Sequence, residues 1–231
     1  MNNLSAGQIQ YLRQHKKHQR IVCISRILIL LSFLFIWEFT ANVGIIDSFI
    51  FSSPSKIALC FWGMVKDGSI FLHMGVTLYE TLASFFLVTF VSILASVALW
   101  FSSKLSEILD PYLVVLNSLP KSALAPLLIV WLGATKTTII VAGMSVAIFG
   151  SILNLYTSFT TVDPGKIKLV YTWAGTASMP FQNVVLPSSI PAIISNMKVN
   201  IGLCLVGVII GEFLAARNGL GYLIITPAVF R

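Results

Sequence analysis

Charge is what this sequence has least of. Only 10% of its 231 residues are Asp, Glu, Lys or Arg, while 57% are hydrophobic, and the mean hydropathy is +0.91. A soluble domain carries about 25% charged residues, so this chain has too few to cover a water-facing surface, and a solvated disordered chain is excluded for the same reason. Carboxylates are scarce and scattered, with 8 Asp and Glu in all. His15, His18 and His73 are too dispersed for a metal site, and no Gly-rich loop ends in Lys-Ser/Thr, so the chain has no phosphate cradle of its own. Cys23, Cys60 and Cys204 are odd in number and widely spaced. That pattern excludes a disulfide framework and reads as small buried hydrophobes. The composition is that of an integral membrane protein.

What charge there is lies unevenly. The formal net charge is +7, and Arg13, Lys16, Lys17, Arg20 and Arg26 all precede the first carboxylate, Glu38. No aromatic or motif pattern interleaves with these cations, so a membrane surface explains them better than a nucleic acid. About 20 helical residues cross a hydrocarbon core, and residues 27–46 supply that length with one interruption, Glu38. This stretch is longer than the apolar part of a signal peptide and no small-residue cleavage pattern closes it. It is read as a first span, with residues 1–26 as a cytoplasmic segment and 27–231 as a transmembrane domain.

Residues 42–73 mix Asp47, Pro54, Lys56, Lys66, Asp67 and Gly68 with short apolar pieces, which predicts an extracytoplasmic loop holding an interfacial helix. Residues 81–103 are uncharged and form a second span. In residues 112–132, Pro120, Lys121 and Pro126 interrupt an apolar run. Proline removes backbone donors, so this third span is irregular and faces protein or pathway, not lipid. Residues 137–162 give a fourth span and 190–215 a fifth. The abrupt end at Arg231 leads us to expect a sixth span that is missing. Between the fourth and fifth, residues 163–187 carry Thr172, Thr176, Pro180, Gln182, Asn183 and Pro187, too polar for a lipid-facing helix. We place them in the cytoplasm as two short surface helices. This topology puts more of the Lys and Arg on the cytoplasmic side, as the positive-inside rule requires.

The segment DPGKIKLVYTWAGTASMPFQNVVLPSSIP, residues 163–191, resembles the cytoplasmic loop of binding-protein-dependent ABC transporter permeases. SSPSKIA at 52–58, LDPYLVVLNSLPKSALAPLLIVWLG at 109–133 and GEFLAARNGLGYLI at 211–224 are similar, in order and spacing, to segments of the nitrate, sulfonate and taurine subgroup. The resemblance covers residues 30–230 and implies an all-helical type I importer permease in a bacterial inner membrane, amino terminus inside. It also implies a second permease copy or paralogue, two cytoplasmic ATP-binding subunits that hold ATP and Mg, and an extracytoplasmic solute-binding protein. The chain itself would bind no cofactor and catalyse no bond chemistry. Its loop, with Asp163, Pro164, Lys168, Ala174, Gly175, Leu186 and Pro187, would dock on the ATPase. The solute would be nitrate, a sulfonate, taurine or a vitamin-precursor-like compound.

Departures from the subgroup accompany the likeness. Lys168 stands where the pattern has glutamate, Ala174 where it has glycine, Glu80 where arginine is common and Ser84 where glycine is common. Asp163 and Pro164 suit a helix start. Candidate pathway residues are Glu80, Asn117, Asn154, Asn200 and Glu212, each with a structural alternative: Glu80 at the outer interface, Glu212 paired with Arg217, and the amides as interhelix glue. Gly143, Gly150, Gly202, Gly207 and Gly211 permit close helix approach, and Trp37, Trp62 and Trp100 fit interfacial belts. Two further function classes stay open. A secondary transporter would use discontinuous spans and buried carboxylates, and a degenerate permease would no longer couple to an ATPase. A membrane enzyme would need a clustered constellation that is absent here.

Overall fold

The computed structural model describes residues 6–44, 52–174 and 178–225, and every regular element among them is helical. The chain divides into two compact units, Met1–Asp67 and Gly68–Arg231.

In the first unit, α1 (Ala6–Asn42) joins the basic start and the apolar stretch in one helix, of which His15–Asn42 is long and apolar enough to span. Its apolar side chains point outward, Ile29 and Phe35 being 70% exposed, as a helix solvated by lipid requires. Cys23 is exposed as well, a correction to its reading as a buried residue; lipid gives an apolar thiol no reason to turn inward. Helix α2 (Pro54–Lys66) occupies the place predicted for an interfacial helix. Ser53 caps it through Lys56 N, with Pro54 in its first turn, where a missing N–H costs nothing. Glu38, the interruption in the first apolar run, accepts from Ser55 N at 3.0 Å, Ser55 Oγ at 2.7 Å and Asn42 Nδ2 at 3.1 Å.

The second unit opens with α3 (Ser69–Phe101), which starts well before the span predicted from residue 81. His73 and Glu80 lowered the hydropathy of its first turns without ending the helix. Buried positions 73, 77, 80, 84 and 88 follow helical spacing, so the polar groups face inward while Leu78, Tyr79, Phe86 and Phe90 face outward. Next come α4 (Ser103–Ser118) and α5 (Lys121–Leu132). Their apolar parts are bent by 103° across Leu119 and Pro120, and taken as one broken span they bring the spanning helices from four to five. Helix α6 (Lys136–Thr160) matches the fourth predicted span.

After α7 (Pro164–Ala174) and the short α8 (Ser178–Pro180), a π-helical turn at Phe181–Val185 leads without a break into α9 (Leu186–Ala215). The expected second surface helix is thus the beginning of the last long helix, which runs over Phe181–Ala215. Pro187 has no N–H to give, and the π turn adapts the ladder just before it: Leu186 N donates five residues back, to Phe181 O. A short α10 (Leu220–Ile225) follows the turn at Gly219.

Helices α3, α6 and α9 pack on one another as the centre of this unit. Gly207 and Gly211, four residues apart on α9, meet α6 at Gly143 and Ile139, a small-xxx-small contact that lets backbones approach. Gly202 points into open space, so its expected packing role is not seen. Phe85, Val88, Ala147 and Cys204 fill one apolar layer, and Leu155, Phe159, Phe181 and Val185 a second.

Candidate functional site

Three polar or aromatic assemblies lie along the α3–α6–α9 unit. At the end where α3 and α6 begin and α9 finishes, the N-terminus of α10 is held by side chains from two other helices. Gly219 N donates to His73 Nδ1 at 3.0 Å, Leu220 N to Thr77 Oγ1 at 2.9 Å and Gly221 N to Glu212 Oε2 at 2.8 Å. These three consecutive amides are the donors that a helix start leaves without intrahelical partners. Thr77 in turn donates to Glu212 Oε1 at 2.7 Å, and the rings of His73 and Tyr222 stack at 6.1 Å. The turn depends on glycine: Gly219 has φ +118°, and a Cβ at Gly221 would collide with Ile209 O and Glu212.

Glu80, one turn beyond Thr77, is 1% exposed and is a neighbour of Glu212. It borders a cleft of about 330 Å³ lined also by Thr135, Lys136, Ile139, Arg217 and Asn218. The helix thus carries Glu80 into the protein at this end of the unit. Arg217 is exposed at the cleft, and the carboxylate of Glu212 is met by Thr77 and Gly221, correcting its expected pairing with Arg217.

At mid-depth Ser151 is a hub. Its hydroxyl donates to Ser92 Oγ at 2.9 Å and accepts from Asn196 Nδ2 at 2.6 Å and Asn200 Nδ2 at 3.0 Å, which uses the full capacity of a hydroxyl. Asn154 Nδ2 reaches Asn196 Oδ1 at 3.3 Å. Ser84 and Ser96 of α3 donate to Ile140 O and Ile152 O of α6. Asn200 thus ties helices together. Asn154 is exposed, and Asn117 lies half-buried with its amide oxygen against Gly150. The candidate pathway residues therefore separate: Glu80 and Glu212 come together at one end, Asn154 and Asn200 share the mid-depth network, and Asn117 stands apart on α4.

At the opposite end lies the exposed segment. Helix α7 starts at Pro164, with Asp163 Oδ1 accepting from Gly165 N at 2.8 Å and Asp163 O from Lys166 N. Asp163, Pro164 and Lys168 are exposed, as is Pro187, while Leu186 is half-buried. Ala174 closes α7, and Gly175 lies outside the described residues. Where the chain re-enters the protein, Phe181 is buried among three rings: Trp100 at 4.9 Å, Phe101 at 5.3 Å and Phe159 at 5.6 Å. Trp100, read from sequence as an interfacial anchor, thus also forms a socket for Phe181.

Sequence reasoning missed Phe181, Ser151 and the His73–Thr77 pair as site-forming residues. The burial of His73 and Thr77 had a signal, their i, i+4, i+7 spacing with Glu80. The socket had none, since its rings come from distant segments.

Known proteins place this architecture. The family model described as "Binding-protein-dependent transport system inner membrane component" matches residues 88–230. A putative aliphatic sulfonates transport permease protein of Bacillus subtilis is 24% identical over 84% of this chain and 71% of its own length. A probable ABC transporter permease protein of Haemophilus influenzae is 27% identical over 89% and 83%. A formylaminopyrimidine transport permease protein of Halalkalibacterium halodurans is 25% identical over 84% and 77%.

Proposed function

This chain belongs to the family of binding-protein-dependent transport system inner membrane components, and we propose that it is the permease subunit of an ATP-driven importer of a small organic solute. The solute class we infer is that of sulfonates, taurine or vitamin precursors, from relatives named for aliphatic sulfonates, taurine and formylaminopyrimidine. The amino terminus and residues 163–187 lie on the cytoplasmic side, where the basic residues before Glu38 favour retention.

The observation that carries the reading is the exposed helix α7 followed by a buried root. Helix α7 offers Lys166 and Lys168 to the solvent, and the chain after it is anchored at Phe181 between the ends of α3 and α6. A separate ATP-binding subunit pushing on such a handle moves two spans through one ring cluster. Binding energy spent at the handle then biases the spans between arrangements, and no covalent step falls to this chain. An acidic residue on the ATPase faces Lys168.

The test is uptake in proteoliposomes. The chain, reconstituted with its ATP-binding subunit and solute-binding protein, is expected to accumulate solute only with ATP, and Lys168→Glu is expected to lower uptake at least tenfold. Uptake by the chain alone, driven by an ion gradient, would overturn the importer reading in favour of a secondary transporter. Unchanged uptake in Lys168→Glu would remove the pairing and leave the rest.

A further inference from the structure

Two carboxyl groups that meet away from water pose a question that the importer reading does not answer. Glu80 is 1% and Glu212 0% exposed. Glu212 is on α9, and both its oxygens have donors, Thr77 Oγ1 and Gly221 N. Glu80 is its neighbour on α3, and its Oε2 is buried without a hydrogen-bond partner. Two ionised carboxylates are acceptors only and repel, so neither can satisfy the other. A buried acceptor left without a donor is destabilising, and more so when it carries a charge. One proton placed between the two groups removes both penalties at once.

The surrounding charges decide which group carries it. Glu212 already receives a hydroxyl and a backbone amide, so both of its oxygens have donors. Lys136 of α6 acts on Glu80 at Coulomb range from the cleft rim, and Arg217, after α9, lines the same cleft; both are exposed to solvent. On the far side of Glu212 stand His73 of α3, whose Nδ1 already accepts from Gly219 N, and Tyr222 of α10. Glu80 is left as the group without a donor, beside a cleft through which a proton can reach it.

We propose that Glu80 and Glu212 form a proton-binding site in which the protonated Glu80 carboxyl donates to the Glu212 carboxylate, locking α3 to the α9–α10 turn. The site ties three parts together: Glu80 and Thr77 on α3, Glu212 on α9, and the amide of Gly221 at the start of α10. Losing the proton leaves two adjacent anions and pushes α3 away from the turn; regaining it closes the latch.

The experiment uses the full chain in lipid nanodiscs. Infrared spectra taken across a pH series should contain a protonated-carboxyl C=O band that is lost at alkaline pH in the parent. The band should be absent in Glu80→Gln, whose amide N–H donates to Glu212 without any proton. Unfolding measured over the same series should weaken with rising pH in the parent, and Glu80→Gln should lose that dependence. Glu80→Met, apolar and of similar volume, gives the same comparison should the amide variant fold poorly. A carboxyl band that persists in both variants, or an alkaline loss in Glu80→Gln equal to the parent's, would overturn the proposal.

Discussion

Gly207 of α9 lies against Gly143 of α6 so closely that a Cβ on Gly207 would come within 2.8 Å of the Gly143 Cα and 3.1 Å of Ala142 O. Both obstacles are backbone, so no side chain can swing aside. Gly207→Ala is expected to destabilise the folded chain by about 1–3 kcal/mol, the usual cost of overpacking. Gly202→Ala on the same helix meets nothing within 4 Å and should be close to neutral. Denaturant titration of both variants in one detergent checks the contrast; because alanine is the better helix former, equal losses would show that the close approach of Gly207 to Gly143 does not set the effect.

Ser151 spends its one proton on Ser92 and both lone pairs on Asn196 and Asn200. Ser151→Ala leaves buried amide donors without acceptors and should cost about 1–3 kcal/mol. Ser92→Ala removes a single neutral interhelix bond, for which about 0.6 kcal/mol is the membrane average. Unfolding of the two variants ranks them, and a Ser92 change as costly as the Ser151 change would contradict the hub.

Phe181 holds the start of the last long helix to the ends of α3 and α6. Truncation to alanine should lower stability by about 3–5 kcal/mol. Phe181→Leu keeps most of the apolar volume and loses the ring contacts. If the proposed ATP-driven import is reconstituted, this milder variant is expected to keep the proposed ATPase docking on exposed α7 while more ATP is hydrolysed per solute imported. A Phe181→Leu variant with the parental ratio would mean that force reaches the spans by another route.

The proposed topology places Lys168 and Gln182 on the side opposite Arg217, and all three are exposed. In a background lacking Cys23, Cys60 and Cys204, single cysteines at these positions should sort by access. A membrane-impermeant maleimide added to whole cells should label Arg217→Cys, and should label Lys168→Cys and Gln182→Cys only after permeabilisation. Labelling of all three from outside would reverse the sidedness of the exposed segment and remove its access to an ATPase.

Much of this protein is dictated by composition and order of residues alone. A chain with so little charge must satisfy its backbone internally and meet lipid with its side chains, so the spans over Lys136–Thr160 and up to Ala215 emerge from hydropathy, and the break near Pro120 from proline's missing donor. The family likeness too is carried by short ordered segments. Tertiary structure alone decided the rest. Whether Glu80 faced an interface or the protein interior depended on a neighbour 132 positions away, Glu212, and hydropathy registers only the cost of a carboxyl, never the partner that offsets it. The same blindness hid the His73, Thr77 and Glu212 clasp on three successive amides and the ring socket of Phe181. Each is assembled from helices that adjoin only after packing, and in a membrane the polar faces that direct such packing are the ones that lower a span's sequence signal.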